Sequence, residues 1–178
     1  MFHRNLFKLA DLGRAARKGY TAPHDSTTWA HGDRGYAPLE LLYGREHPDW
    51  NIRNIGCDAY LFGSMIVFFF TSVSMTSLVL SHMDPAHHHS KWTGGYDTIL
   101  AYVQDGFGKA LQSFAAAVPT TVRKQLMQIV TELCNPDPKL RGAVGARNGG
   151  KNFMECYVTR LDVLAYKAER GLFEELRS

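Results

Sequence analysis

An uncharged run over residues 59–81 dominates the hydrophobic pattern of this chain. Its apolar residues surround the predicted helix rather than forming one stripe, which is typical of a helix inside a protein core. A segment of this length could also cross a bilayer. The Ser and Thr residues within it, and the lack of Lys or Arg clusters at its ends, favour the core helix. The pattern therefore predicts a buried central helix over about residues 55–80.

Shorter patterned segments lie on both sides of this run. Residues 6–10 alternate apolar and polar side chains, which predicts a short strand, and a short helix is expected over residues 38–43. A loop with turn residues is expected over about 81–95. Further helices are predicted between about 96 and 177, where apolar residues recur at helical spacing. The expected fold is one mainly α domain with a short N-terminal strand.

Composition narrows the function classes. A chain of 178 residues can bury a core of its own, and its net charge of +3 is too dispersed to indicate nucleic-acid binding. The three cysteines are far apart, so neither a disulfide framework nor a zinc knuckle is predicted. Asp11 and Arg14 interrupt the only segment that could serve as a secretory leader. We expect a cytoplasmic protein, with membrane insertion as the less favoured alternative.

Four short motifs follow one another over about 130 residues. They are Asp11-Leu12-Gly13, Gly32-Asp33-Arg34-Gly35-Tyr36-Ala37-Pro38-Leu39-Glu40, Asp58-Ala59-Tyr60-Leu61-Phe62-Gly63 and Asp137-Pro138-Lys139-Leu140-Arg141. In this order they resemble the large lobe of the eukaryotic-type Ser/Thr protein kinase family, from its Asp-Phe-Gly motif to its last helix. The resemblance covers nearly the whole chain and implies a partial kinase-like large lobe. The spacing of 83 positions from Asp58 to Arg141 is long for the family, which suggests an insertion around residues 80–100.

The resemblance implies a magnesium ligand but not a complete active site. Asp11 matches the carboxylate that holds the magnesium bridging the ATP phosphates. The phosphate-gripping Lys and the catalytic-loop Asp and Asn have no counterpart in these residues. We interpret His3-Arg4-Asn5 as a coincidence or a deletion remnant, because an amide cannot accept a proton as a carboxylate does. Mg²⁺ and ATP are therefore expected only if another segment supplies the missing half, and no catalytic residue is assigned.

The segment over residues 11–40 corresponds to the family's activation segment. Ser26, Thr27 and Thr28 would be its phosphate acceptors, although three hydroxyls in a solvated loop are an equally good interpretation. The resemblance assigns Asp33, Arg34 and Tyr36 to the loop that docks a substrate peptide. Asp33 departs from the family, which usually has Thr there, and its carboxylate would repel a catalytic Asp.

The resemblance also predicts structural roles for three charged residues. In the family, the Glu that matches Glu40 meets the Arg that matches Arg141 in a buried ion pair, although these residues lie 101 positions apart in the sequence. Two unrelated surface charges are the alternative. Asp58 matches an Asp that accepts backbone N–H groups from the catalytic loop, and at a helix start it would also cap the central helix.

A histidine-rich stretch raises the question of a metal site. His82, Asp84 and residues 87–89 offer possible ligands, but consecutive residues point in different directions and rarely converge on one ion. A solvated loop between helices is the favoured interpretation. No Gly-x-Ser-x-Gly motif supports a hydrolase.

The sequence thus predicts a kinase-lineage protein that acts through binding. It would be one part of a split kinase or a pseudokinase-like regulator, with another protein supplying or covering the missing small-lobe surface. One alternative is a truncated piece of an active kinase that transfers phosphate from ATP to protein. A membrane-anchored fragment that uses residues 59–81 is a further alternative.

Overall fold

A computed structural model describes residues 16–21, 33–142 and 154–175, with side chains of the last helix described to residue 170. The regular elements within these ranges are helical, which confirms the mainly α class. The α-helices are α1 (Leu39–Leu42), α2 (Gly56–Thr71), α3 (Met75–Ser81), α4 (Tyr96–Ala117), α5 (Thr120–Leu133) and α6 (Glu155–Glu175). A π-helical turn at Asn51–Ile55 leads into α2, and 3₁₀ turns lie at Pro85–His87 and Pro138–Leu140. The predicted strand at 6–10 lies outside the described residues.

The single helix predicted over about residues 55–80 is two helices. The chain leaves α2 through Ser72, whose φ of 59° is left-handed. Ser74 then caps α3, because its hydroxyl accepts a hydrogen bond from the Ser77 amide at 3.1 Å. Serine hydroxyls compete for backbone groups in this way and favour caps over helix interiors. The hydrophobic pattern could not reveal this break, since apolar residues continue on both sides of it.

Asp49, rather than Asp58, caps the helical segment that contains α2. Its Oδ1 accepts the amides of Asn51 at 2.8 Å and Ile52 at 3.0 Å. The hydrogen bond from Ile52, followed by that from Asn51, lowers the pKa of Asp49 despite an opposing desolvation effect. No side-chain cap forms at the start of α2 itself. The prediction that Asp58 caps the central helix is therefore wrong, because the π-helical turn extends the helix ahead of Asp58.

The core lies where α2 packs against α5. α3 packs against α4 and α5 against α6, so the helices form one connected body. Gly63 allows the central contact, because a Cβ there would lie 2.5 Å from the Cys134 sulfur and 2.8 Å from the Leu133 Cβ. The largest fully buried side chains among the described residues belong to this core: Tyr60, Tyr157, Phe114, Leu39, Met75, Ile99, Ile129 and Leu133.

The central helix is buried on one face only. Tyr60, Gly63 and Val67 face the core, whereas Leu61, Met65, Phe68 and Phe69 are exposed. The expectation of a helix buried all round is therefore wrong for this chain. Within the structure, α5, α3 and α4 cover one side of α2 and leave the other side in contact with solvent.

Candidate functional site

Glu40 and Arg141 form a bidentate ion pair inside the protein. The Arg141 Nη1 and Nη2 groups donate to the two Glu40 carboxylate oxygens at 2.7 and 2.8 Å. The Arg141 side chain is 0% exposed and that of Glu40 is 7% exposed. The contact expected from the sequence is thus present, and the alternative of two separate surface charges is wrong.

Arg141 also joins the start of α2 to the turn after α5. Its Nη1 donates to the Gly56 carbonyl at 3.1 Å, and its Nε donates to the Asn135 carbonyl at 2.9 Å. Burial alone would lower the pKa of Arg141, but the Glu40 carboxylate outweighs that effect and raises it. The guanidinium therefore stays charged while it holds α1, α2 and the Asn135–Asp137 turn together.

The predicted substrate-docking loop is a compact turn over residues 33–37. The Asp33 carboxylate accepts the Gly35 amide at 2.8 Å, and its carbonyl accepts the amides of Tyr36 and Ala37. Ser74 donates to the Gly35 carbonyl, and Thr76 donates to the Ala37 carbonyl at 2.8 Å. Asp33 therefore has a turn-forming role here, and α3 fixes the position of the turn.

An exposed apolar surface lies next to this turn. We call it the α2 face and define it by Asp58, Leu61, Met65, Phe68 and Phe69. The spacings of three, four, three and one place these side chains along one side of the helix. Phe69 is 75% exposed, which for an aromatic side chain corresponds to more than about 100 Å². The whole face presents a few hundred Å², similar to about 300–600 Å² for the largest patch on a typical monomer.

The turn and the α2 face are adjacent. The Tyr36 ring centroid lies 6.3 Å from that of Phe68, in a tilted arrangement. Tyr36 is itself exposed, so its ring extends the apolar surface beyond the helix. The docking residue predicted from the sequence therefore borders a surface that the sequence interpretation missed.

Asp58 supplies a charge at one end of the α2 face. Its side chain is exposed, but the apolar surroundings partly desolvate the carboxyl and raise its pKa. Within the described ranges it forms neither a hydrogen bond nor an ion pair. The exposed Asp58 carboxylate can accept a hydrogen bond from a backbone N–H group, or bind a cation, that lies outside the described residues.

No metal centre is formed within the described ranges, where no three His, Cys, Asp or Glu side chains are arranged to hold an ion. The His82 Nε2 lies 2.9 Å from the Ser113 hydroxyl, and the His88 Nε2 lies 3.0 Å from the Leu80 carbonyl. These contacts direct the two rings to different partners. Asp11, Ser26, Thr27 and Thr28 lie outside the described residues.

Sequence reasoning missed the exposed face although a signal was present. Asp58, Leu61, Met65 and Phe69 recur at helical spacing, and Tyr60, Gly63 and Val67 occupy a second series. Both series are apolar apart from Asp58, so composition alone could not separate the core side from the solvent side. The small residue Gly63 marks the side that approaches α5 closely.

Comparison with protein-family models, with curated proteins and with solved structures gives no match for this chain. One described helical segment, Asn51–Thr71, is long and apolar enough to cross a membrane, and 39% of its most apolar window is buried inside the protein. That segment contains Arg53 and Asp58 and packs through one face against α5.

Proposed function

We propose that this chain is a kinase-lineage large lobe that acts by binding a second polypeptide segment through the α2 face. The observation that carries the proposal is the bare apolar side of α2, the helix that would be central in such a lobe. By this proposal the chain is part of a split kinase or a pseudokinase-like regulator in the cytoplasm.

The buried ion pair supports the lineage. Glu40 follows the stretch that resembles the peptide-docking loop, and Arg141 follows the Asp-Pro turn. Arg141 also binds the carbonyl of Gly56, two positions before the Asp58 that opens the third motif. The Arg141 guanidinium also lies over the Tyr60 ring of the third motif, 4.9 Å from its centroid, so one guanidinium contacts three of the four motifs. Chance triplets in an unrelated helical protein have no reason to meet in this way.

The bare face supports the binding role. The resemblance implies that the central helix is surrounded by apolar contacts and that the Asp matching Asp58 accepts N–H groups from the catalytic loop. Here Leu61, Met65 and Phe69 meet solvent, and Asp58 has no partner among the described residues. We therefore assign the occupant to a kinase-type front half, which carries a small lobe and a catalytic loop. Mg²⁺ and ATP would bind only in the completed assembly, with Asp11 as a ligand.

Titration calorimetry tests the catalytic part of the proposal. ATP with Mg²⁺ is titrated into this 178-residue chain alone, and then into its complex with any protein that co-purifies with it. We expect no saturable heat from the chain alone and saturable binding by the complex. Tight binding by the chain alone would contradict the claim that it is catalytically incomplete.

Matched surface variants test the binding part. Met65→Ser combined with Phe69→Ser removes the apolar centre of the α2 face, and Val163→Ser combined with Tyr166→Ser changes exposed side chains on α6. We expect the first pair to abolish association with the front-half protein and the second to leave it unchanged. Equal association of both variants would contradict the proposal. Binding of wild-type chain to lipid vesicles, lost only in the α2 variant, would favour the membrane alternative instead.

A further inference from the structure

Four histidines lie on the segment between α3 and α4. His87 packs its ring on Tyr102, with centroids 3.8 Å apart, and its carbonyl accepts the Tyr43 hydroxyl at 2.7 Å. His87 also meets the Trp92 ring edge-on at 5.7 Å. The amides of Lys91 and Trp92 donate to the His88 carbonyl, each at 2.9 Å. These contacts hold the segment against α4 and the end of α1.

Two of the histidines have a hydrogen-bond partner for the ring Nε2 atom. The His88 Nε2 lies 3.0 Å from the Leu80 carbonyl, which accepts a hydrogen bond from the ring. The His82 Nε2 lies 2.9 Å from the Ser113 hydroxyl, which can accept or donate a hydrogen bond. Both ring atoms therefore have a partner.

His89 is different because its Nδ1 is buried without a hydrogen-bond partner. A neutral ring protonated on the other nitrogen leaves this atom without a proton, at modest cost. A charged ring places an N–H group there with no acceptor, and a buried donor without an acceptor destabilises the closed arrangement. The ring also lies edge-on to Tyr43, with centroids 6.1 Å apart.

The electrostatic surroundings of His89 oppose a further positive charge. Arg34 from the 33–37 turn and the neighbouring His88 both act on the ring, and Tyr43 contacts it from the end of α1. Desolvation, followed by Arg34 and His88, lowers the pKa of His89 below its ordinary value.

We propose that His89 is a pH-sensitive clasp, whose protonation in mildly acidic solution releases the segment over residues 82–92 from Tyr43. The inference goes beyond the proposed function and does not depend on it. Three observations support it: the buried His89 Nδ1 without a partner, the nearby Arg34 and the ring contact with Tyr43.

Protonation of His89 is coupled to release of the segment. A histidine whose folded-state pKa is lowered binds fewer protons in the closed form than in the released form. Its contribution to closure is complete above the ordinary histidine pKa of about 6.5 and is lost as pH falls through the lower folded-state value. The segment should therefore be closed at neutral pH and loosen on acidification.

Amide hydrogen exchange of Lys91 and Trp92 at about pH 7.5 and pH 5.5, corrected for intrinsic exchange, measures the release. We expect protection to fall several-fold at the lower pH in the wild type. His89→Phe keeps a ring against Tyr43 but cannot be protonated, so its protection should change much less. Equal protection of the wild type at both pH values would overturn the inference, as would a full pH response in His89→Phe.

An NMR titration of the wild-type histidine rings provides an independent readout that needs no variant to fold. We expect the His89 resonance to titrate below about 6.5. Arg34→Gln should raise that midpoint, because a positive neighbour is removed. A midpoint at or above the ordinary histidine value in the wild type would overturn the inference.

Discussion

Removal of Glu40 should be among the most damaging single substitutions in this protein. In Glu40→Ala, the Arg141 Nη1 and Nη2 groups lose both carboxylate oxygens while the side chain stays 0% exposed. An uncompensated buried charge costs about 3–5 kcal/mol. A domain of this size is stable by about 5–15 kcal/mol, so the variant should be marginal or unfolded.

Urea unfolding followed by circular dichroism measures this loss. With a slope near 2 kcal/mol per molar, the midpoint should fall by about 1.5–2.5 M. Glu40→Gln keeps one acceptor but loses the charge, and we expect a loss of about 1.5–3 kcal/mol. Asp105→Asn is the matched control, because it breaks the exposed Lys109–Asp105 pair and should cost less than about 0.5 kcal/mol.

A double-mutant cycle separates the pair from its surroundings. Glu40→Ala combined with Arg141→Met should destabilise less than the sum of the two single changes, because no buried charge remains. It should not restore wild-type stability, since the carbonyls of Gly56 and Asn135 lose their Arg141 donors. A loss below about 1 kcal/mol for Glu40→Ala, or strict additivity in the cycle, would refute the reasoning.

Three further substitutions test the packing around this site, and urea unfolding measures each. Gly63→Ala should lower the free energy of unfolding by about 1–3 kcal/mol, since its Cβ would lie 2.5 Å from the Cys134 sulfur. Gly108→Ala should raise it by up to about 1 kcal/mol, because its Cβ would have nothing within 4 Å. Equal effects of the two substitutions would contradict the close approach of α2 to α5 at Gly63. Ser74→Ala should cost about 1–2 kcal/mol by uncapping α3 and losing the bond to Gly35. Glu132→Gln should cost about 1–2 kcal/mol because Glu132 accepts hydrogen bonds from Tyr157 and Arg160 on α6. Desolvation alone would raise the pKa of Glu132, but the hydrogen bonds from Arg160 and Tyr157 outweigh it and lower the pKa. The stabilisation by ionised Glu132 should therefore be present above about pH 4.5 and be lost as pH falls below that value. An equal difference in unfolding free energy between wild type and Glu132→Gln at pH 3.5 and at pH 7 would contradict this pH dependence.

Long-range contacts between charged residues were predictable where a motif fixed both partners. Glu40 and Arg141 are separated by 101 positions, and periodicity alone could not have paired them. The resemblance specified both, and the structure brings them together. The sequence also predicted the apolar stripes of α4 and α5, because their core residues recur at helical spacing. Those residues, which include Ile99, Val103, Leu126 and Ile129, are buried.

The uncharged run could not be divided correctly from its pattern. Ser72 ends α2 with a left-handed backbone conformation. This conformation is uncommon for a serine, so the composition of the segment did not predict it. Likewise, the cap at Asp49 depends on local backbone geometry, so the more prominent Asp58 was chosen instead. Which side of an apolar helix meets solvent depends on what the rest of the chain covers, and this is a property of tertiary structure.

Photo-crosslinking from the α2 face is the most direct test of whether this face binds a kinase-type front half. A benzoylphenylalanine at position 69 and, as a control, at position 163 is activated in cells that make the protein, and the joined peptides are identified by mass spectrometry. We expect position 69 to capture a segment with the kinase front-half motifs, which are a glycine-rich loop, a strand Lys and a catalytic-loop Asp. Position 163 should not capture it. Capture of lipid, of a second copy of this chain, or of the same proteins from both positions would contradict it.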